Sequence, residues 1–168
     1  SRMHPKKGVD TLLYAAAKLP GVYFWLAGDG PNINEYKSLC DKLHLSDRVR
    51  FLGWRNDRAA LLKHATVCTL PSRYEPFGTV IPESWLSGVP LVATRAAGAS
   101  QYVTDGVDGL LCDIDDVDGL ADALNRAITD HTLRTRLIAH GHETGERLFS
   151  RDAVIAQLMN SYGKMRSE

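Results

Sequence analysis

The stretch that decides the fold is residues 71–90, PSRYEPFGTVIPESWLSGVP. It follows an apolar run, residues 65–70, that reads as a buried strand. It leads through a helix into a second apolar run at residues 90–93. Within it Glu75 and Glu83 stand eight positions apart, with Phe77, Gly78 and Thr79 between them. Strand, polar loop, helix start, strand is the order of an open α/β sheet, which places ligands beyond the carboxyl ends of its strands.

On the N-terminal side the pattern repeats. Residues 1–8, SRMHPKKG, are basic and turn-like, and they run into a helix over 9–18 with Val9, Leu12, Leu13 and Ala16 on one face. An α/β domain ordinarily opens with a strand, so this loop start implies a chain cut just after, or within, its first strand. Pro20 and Gly21 end the helix, and residues 22–27 read as a buried strand. A turn at 28–31, an amphipathic helix over 32–43, a strand at 49–52 closed by Gly53, and a short helix over 57–64 with Asn56 or Asp57 as cap complete this side. C-terminal to the opening stretch come a small-residue loop at 94–99, a helical turn at 101–103 and a short strand at 109–112. Three helices, over 118–130, 132–140 and 152–165, then form a tail that packs on the sheet edge or reaches toward a neighbour. The alternation predicts a single domain, 1–168, of the α/β class. It is a Rossmann-like, doubly wound parallel sheet flanked by helices, with a helical C-terminal tail and a truncated first strand.

Twenty basic and twenty acidic residues among 168 leave no net charge, which disfavours nucleic acid or an acidic membrane as a partner held by bulk electrostatics. Three scattered cysteines, Cys40, Cys68 and Cys112, suit a reducing compartment. No window has the length of a membrane span and no signal peptide opens the sequence. The expectation is a cytoplasmic protein, with peripheral docking through another part left open.

Several motifs are set aside. Gly28-x-Gly30 lacks the third glycine of a dinucleotide fingerprint, since Ile33 occupies that position. There is no phosphate-binding GxxxxGK[ST] run and no Gly-x-Ser-x-Gly elbow. The six histidines show no metal-ligand spacing, so no metal is expected. Arg2 and Lys7 carry more weight. They precede a helix start, where backbone N–H groups and the dipole favour an anion, and a planar guanidinium with an ammonium suits a diphosphate. Lys7 is preferred over Lys6 because it abuts Gly8. Glu75 and Glu83 accept hydrogen bonds in pairs and so suit vicinal hydroxyls of ribose or hexose. The bland alternative for Glu83 is an acid that stabilises a helix start by about 0.3–1 kcal/mol.

With these residues in hand, the chain resembles the C-terminal domain of glycosyltransferase family 4, retaining enzymes of the two-domain GT-B fold. The match runs over nearly the whole chain, from Arg2 to about Tyr162, and the motifs that carry it are RMHPKKGVDTLL, LAGDGP, RVRFLGW, PSRYEPFGTVIPESWLSGVPLVAT and VTDGVDGLL. The resemblance implies that Arg2 and Lys7 neutralise the leaving diphosphate of a nucleotide-sugar donor and that Glu75 contacts the transferred sugar. It implies that the backbone of Phe77, Gly78 and Thr79 meets sugar and phosphate, that Val80 lies against the nucleoside and that Glu83 holds ribose hydroxyls. Trp54 and Arg55 would border the base, and Gly98, which remains of a usual glycine pair where Ala96 and Ala97 depart from the pattern, would lie beside the donor as one of its binding residues. It further implies no cofactor or required metal, an acceptor-binding N-terminal domain as partner, and transfer to a saccharide or lipid-linked acceptor of the cell envelope, at the inner membrane face if peripheral. A non-catalytic nucleotide-binding module, a GT-B epimerase or phosphorylase, and a plain α/β scaffold stay open at this point.

Overall fold

The structure is a computed structural model that describes residues 2–165. Ser1 and residues 166–168 of the expected domain lie outside the described residues. After a single 3-10 turn at Pro5–Lys7, α1 (Val9–Ala17) leads to β1 (Phe24–Ala27), α2 (Ile33–Lys42), β2 (Val49–Gly53) and α3 (Arg58–His64). Then follow β3 (Cys68–Leu70), α4 (Val80–Leu86), β4 (Leu91–Thr94), α5 (Ala97–Tyr102) and β5 (Leu110–Cys112). Helices α6 (Val117–Thr129), α7 (His131–Phe149) and α8 (Arg151–Met165) close the chain.

Every strand pairing is parallel, as the α/β alternation requires. The strands fall into two ladders, β1-β2 and β3-β4-β5. The facing edges of β1 and β3 do not pair; they flank an apolar cleft of about 560 Å³ lined by Trp25, Leu26, Leu62, Val67 and Thr69 among others. The central strand β4 is buried at all four positions, and β1 alternates, with Phe24 and Leu26 inward and Trp25 half exposed. Helices α1 and α6 cover one side of the sheets, joining Leu12, Leu13, Ala16, Leu120 and Leu124 in one core with Phe24, Leu26 and Val92. A second core gathers Leu70, Ile81, Trp85 and Leu91.

Two local expectations are corrected. Residues 97–99 belong to a helix rather than a loop, because Ala97 and Ala99 are good helix formers and Ala99 packs into the second core. Helix α7 does not stop near residue 140. It continues through Gly141 and Gly145 to Phe149, since the missing side chains let the helix backbone lie against Trp85: a Cβ on Gly141 would sit 2.6 Å from Trp85 Cδ1. The tryptophan is fully buried and its indole N–H donates to Asp108 O at 2.7 Å. The tail helix α8 leans on α7 and leaves Val154, Ile155, Leu158, Met159 and Tyr162 exposed. No described helix is long and apolar enough to cross a membrane.

Candidate functional site

A polar cleft of about 1000 Å³ opens at the carboxyl ends of the first three strands, where Ala27 ends β1 and Gly28 follows it, Trp54 follows β2 and Leu70 ends β3. Arg2 and Lys7 line it from one side, and Glu75, Phe77, Gly78, Thr79 and Val80 from the other. Charged side chains converge on this polar cleft more than on the neighbouring apolar cleft between β1 and β3, and that is where chemistry can be organised.

The basic wall is built by backbone constraints. Met3 N–H donates to Asp29 O at 2.8 Å and Asn32 N–H to Met3 O at 3.1 Å, so residues 2–3 run beside the end of β1. Gly30 permits this approach, because a Cβ there would lie 2.5 Å from Met3 O. The glycine pair that resembled a dinucleotide loop thus has one member packed under the protein's own chain. Gly8, at a left-handed φ of 61°, turns the chain from the 3-10 turn into α1 and brings Lys7 toward the third strand. Lys7 Nζ donates to Glu75 Oε2 at 2.5 Å, and the two side chains keep 25% and 13% of their surface exposed.

The facing loop is equally fixed. Gly98 N–H donates to Glu75 O at 2.7 Å, and a Cβ on Gly98 would fall 2.5 Å from Phe77 O. Gly98 therefore supports the loop from behind and does not form cleft wall, a correction to its expected place beside the ligand. The Phe77 ring makes edge contacts with Tyr102 at 5.3 Å and Phe149 at 5.7 Å. Gly78 adopts a φ of 78°, and Ile81 N–H donates back to its carbonyl at 2.8 Å. Thr79 and Val80 then supply N–H groups of the first helical turn, the ones without intrahelical acceptors.

Glu83 sits in the first turn of α4 and lines the apolar cleft between β1 and β3, not the polar one. Arg58 connects the two, lining both clefts and reaching Glu83 Oε1 with Nη1 at 2.9 Å. Trp54 is 74% exposed at the rim. Arg55 is engaged by Asp57 through two hydrogen bonds of 2.8 and 2.6 Å, which hold the Asp57 carboxyl below its ordinary value. Asp57 is the residue before α3, yet its side chain makes no cap bond, contrary to expectation, because it is spent on Arg55.

Four residues that matter to this geometry escaped the sequence reading: Arg58, Arg73, Asp10 and Asp115. Arg73 donates to both carboxylate oxygens of Asp10, at 2.8 and 2.7 Å, and to Asp115 Oδ1 at 2.7 Å. Burial alone would push the Asp10 carboxyl up, but the hydrogen bonds and charge of Arg73 outweigh it and hold that carboxyl below its usual range. The signal available in the sequence was only that Arg73 lies two residues before Glu75. The three cysteines are free, and burial pushes the Cys68 and Cys112 thiols up to about 11, which makes them poor nucleophiles.

Comparison with known proteins matches this geometry to a family. Residues 1–144 match the family described as glycosyl transferases group 1. The chain is 44% identical over 153 residues to the lipopolysaccharide core biosynthesis glycosyltransferase LpsE of Rhizobium meliloti, covering 91% of this chain and 45% of that protein. It superposes on Anabaena Alr3699/HepE, solved in complex with UDP, with a TM-score of 0.93 at 30% identity, covering 98% of this chain and 47% of that one. A complex of the same Anabaena protein with UDP-glucose gives a TM-score of 0.92 at 31% identity, again over 98% of this chain and 47% of that one. The chain thus spans about half the length of these relatives. Motifs, parallel α/β architecture and match all agree: this chain belongs to the glycosyl transferases group 1 family, with the GT-B type of fold.

Proposed function

We propose that the chain is the donor-binding half of a retaining glycosyltransferase that takes a hexose from a uridine diphosphate sugar. The observation that carries the reading is the convergence of Arg2, Lys7, Glu75 and the 77–80 backbone on one cleft at the strand ends. Bond cleavage at the sugar leaves negative charge on the diphosphate and positive character on the sugar carbon. Arg2 and Lys7 stabilise the first, and preorganised charge of this kind is often the largest single contribution to catalysis. Glu75 orients sugar hydroxyls, and its carboxylate favours the cationic sugar. With two cations facing the diphosphate, no metal is required. Uridine is the proposed nucleoside because a structural neighbour was solved with UDP and UDP-glucose.

Glu83 reaches the ribose once Arg58 yields its carboxylate, and Trp54 and Arg55 border the base. The acceptor, a saccharide or lipid-linked saccharide of the cell envelope, binds a separate N-terminal domain. The exposed apolar side of α8 is the surface proposed to meet that domain. The setting is cytoplasmic, with peripheral attachment at the inner membrane face.

Calorimetric titration of this chain with UDP, UDP-glucose, GDP and ADP, with and without Mg²⁺, tests the reading. UDP and UDP-glucose are expected to bind without the metal and the other two more weakly. Strict dependence on Mg²⁺, or unchanged affinity after Glu83→Ala, would overturn it.

A further inference from the structure

Arg73 does not line the polar cleft, yet it is tied to both of its walls. All five N–H groups of its guanidinium are used. Nε donates to Asp115 Oδ1 at 2.7 Å, one terminal nitrogen to Pro5 O at 2.7 Å and Asp10 Oδ1 at 2.8 Å, and the other to Asp10 Oδ2 at 2.7 Å and Thr11 Oγ1 at 3.2 Å. Its own backbone N–H and that of Tyr74 both donate to Lys6 O, at 2.9 and 3.1 Å. One side chain therefore joins the basic turn, the start of α1 and the loop after β5 to the segment that carries Glu75.

Asp115 supplies an independent sign that this junction is built rather than incidental. It holds a φ of 63°, a left-handed conformation uncommon for a residue with a side chain, and its carboxylate also accepts from Thr11 Oγ1 at 3.0 Å. A backbone in that region persists where surrounding contacts over-determine it.

We infer that Arg73 is a positioning residue that sets the spacing between Lys7 and Glu75, and so between the diphosphate and the sugar of the donor. The inference rests on the donor reading above. Lysine cannot fill the role. Its ammonium is a single point with three donors, whereas the planar fork reaches acceptors from three segments at once. Loss of the fork frees the basic turn to shift against the Glu75 loop while the nucleoside end, around Trp54 and Glu83, keeps its own supports.

The test is the affinity of this chain and of Arg73→Lys and Asp115→Asn for UMP, UDP and UDP-glucose, measured well below the melting temperature of each. Amide exchange at Tyr74 is followed in parallel. Arg73→Lys is expected to lose at least tenfold for UDP-glucose and several-fold for UDP, with UMP within twofold, and to exchange the Tyr74 amide faster. Asp115→Asn, which keeps the Asp10 pair, shows the same selectivity at smaller size and stands in should Arg73→Lys not fold. Equal affinities for all three ligands, a uniform loss across them, or an unchanged Tyr74 exchange rate would overturn the role of Arg73. Failure of the unaltered chain to bind any of the three would instead overturn the donor reading, and Tyr74 exchange would still report whether Arg73 fixes the loop.

Discussion

The carbonyl oxygen of Pro71 occupies the place a side chain on Gly8 would need, only 1.9 Å from where its Cβ would stand. The glycine also holds a φ of 61°. Two separate penalties thus guard this contact, and Gly21 separates them: it holds a φ of 80° with nothing within 4 Å of its would-be Cβ. Gly21→Ala should cost about 1 kcal/mol, the strain of a left-handed alanine. Gly8→Ala adds displacement of the strand-end backbone and should cost about 3 kcal/mol or more, lowering the melting temperature by roughly 6–12 °C in a chain of this size. It should also weaken UDP-glucose binding, which Gly21→Ala leaves unchanged. Equal melting shifts for the two variants would mean that the Gly8–Pro71 approach is not tight.

The Lys7–Glu75 pair makes a prediction of opposite signs. Without ligand the ammonium is neutralised by the carboxylate, so a diphosphate competes with Glu75 for it. Glu75→Gln releases Lys7 and should tighten UDP by about 3- to 10-fold, worth roughly 0.7–1.4 kcal/mol. The same change should remove most of the advantage of UDP-glucose over UDP, because the amide accepts from sugar hydroxyls more weakly than a carboxylate. Titrating both ligands into both proteins decides it. Weaker UDP binding by Glu75→Gln would show that Glu75 does not restrain Lys7.

What the sequence made legible follows the range of the interactions involved. The strands at Phe24–Ala27, Val49–Gly53 and Leu91–Thr94 announce themselves by apolar runs bounded by Gly and Pro, and each lies within two residues of its expected bounds. Lys7 beside Gly8, and Glu75 after a strand and before Pro76, are equally local patterns. Arg73 was invisible because its acceptors, Asp10 and Asp115, lie 63 and 42 residues away, and nothing in the spacing of one arginine names them. Arg58 was hidden in the same way, its partner Glu83 being in another helix. Gly98 was assigned to the ligand although its neighbours are Glu75 O and Phe77 O. A glycine signals close approach without saying what approaches.

Helix α7 shows tertiary packing overriding a local signal, and the override can be measured. Glycine inside a helix is disfavoured by about 1 kcal/mol relative to alanine, so propensity alone predicts that Gly141→Ala stabilises the chain. Packing predicts the reverse. The new methyl would lie 2.6 Å from Trp85 Cδ1 and 3.0 Å from Nε1, the atom that donates to Asp108 O. Overpacking of this kind costs roughly 1–3 kcal/mol. We expect a net loss, with a melting temperature lowered by several degrees and a shift in Trp85 emission. Gly145→Ala, whose nearest contact would be 3.2 Å, should be close to neutral. A more stable Gly141→Ala protein would mean that α7 can slide away from Trp85 at little cost.

Strong acid should loosen the junction that Arg73 makes with Asp10. The Asp10 carboxyl is held below its ordinary value of 3.8: burial opposes this, and the hydrogen bonds and charge of Arg73 outweigh burial. A carboxylate depressed in the folded state contributes stability that is complete above its unfolded value and is lost as pH falls through the lower folded value. Between pH 7 and 5 the contribution is therefore constant, and below about pH 4 it declines. Asp10→Asn carries no such titration and lacks the contribution at every pH. Denaturant midpoints of the two proteins should differ by a fixed amount from pH 7 to 5 and converge as pH drops toward 3. A gap that stays constant down to pH 3 would show that Asp10 is not the carboxylate through which Arg73 stabilises the fold.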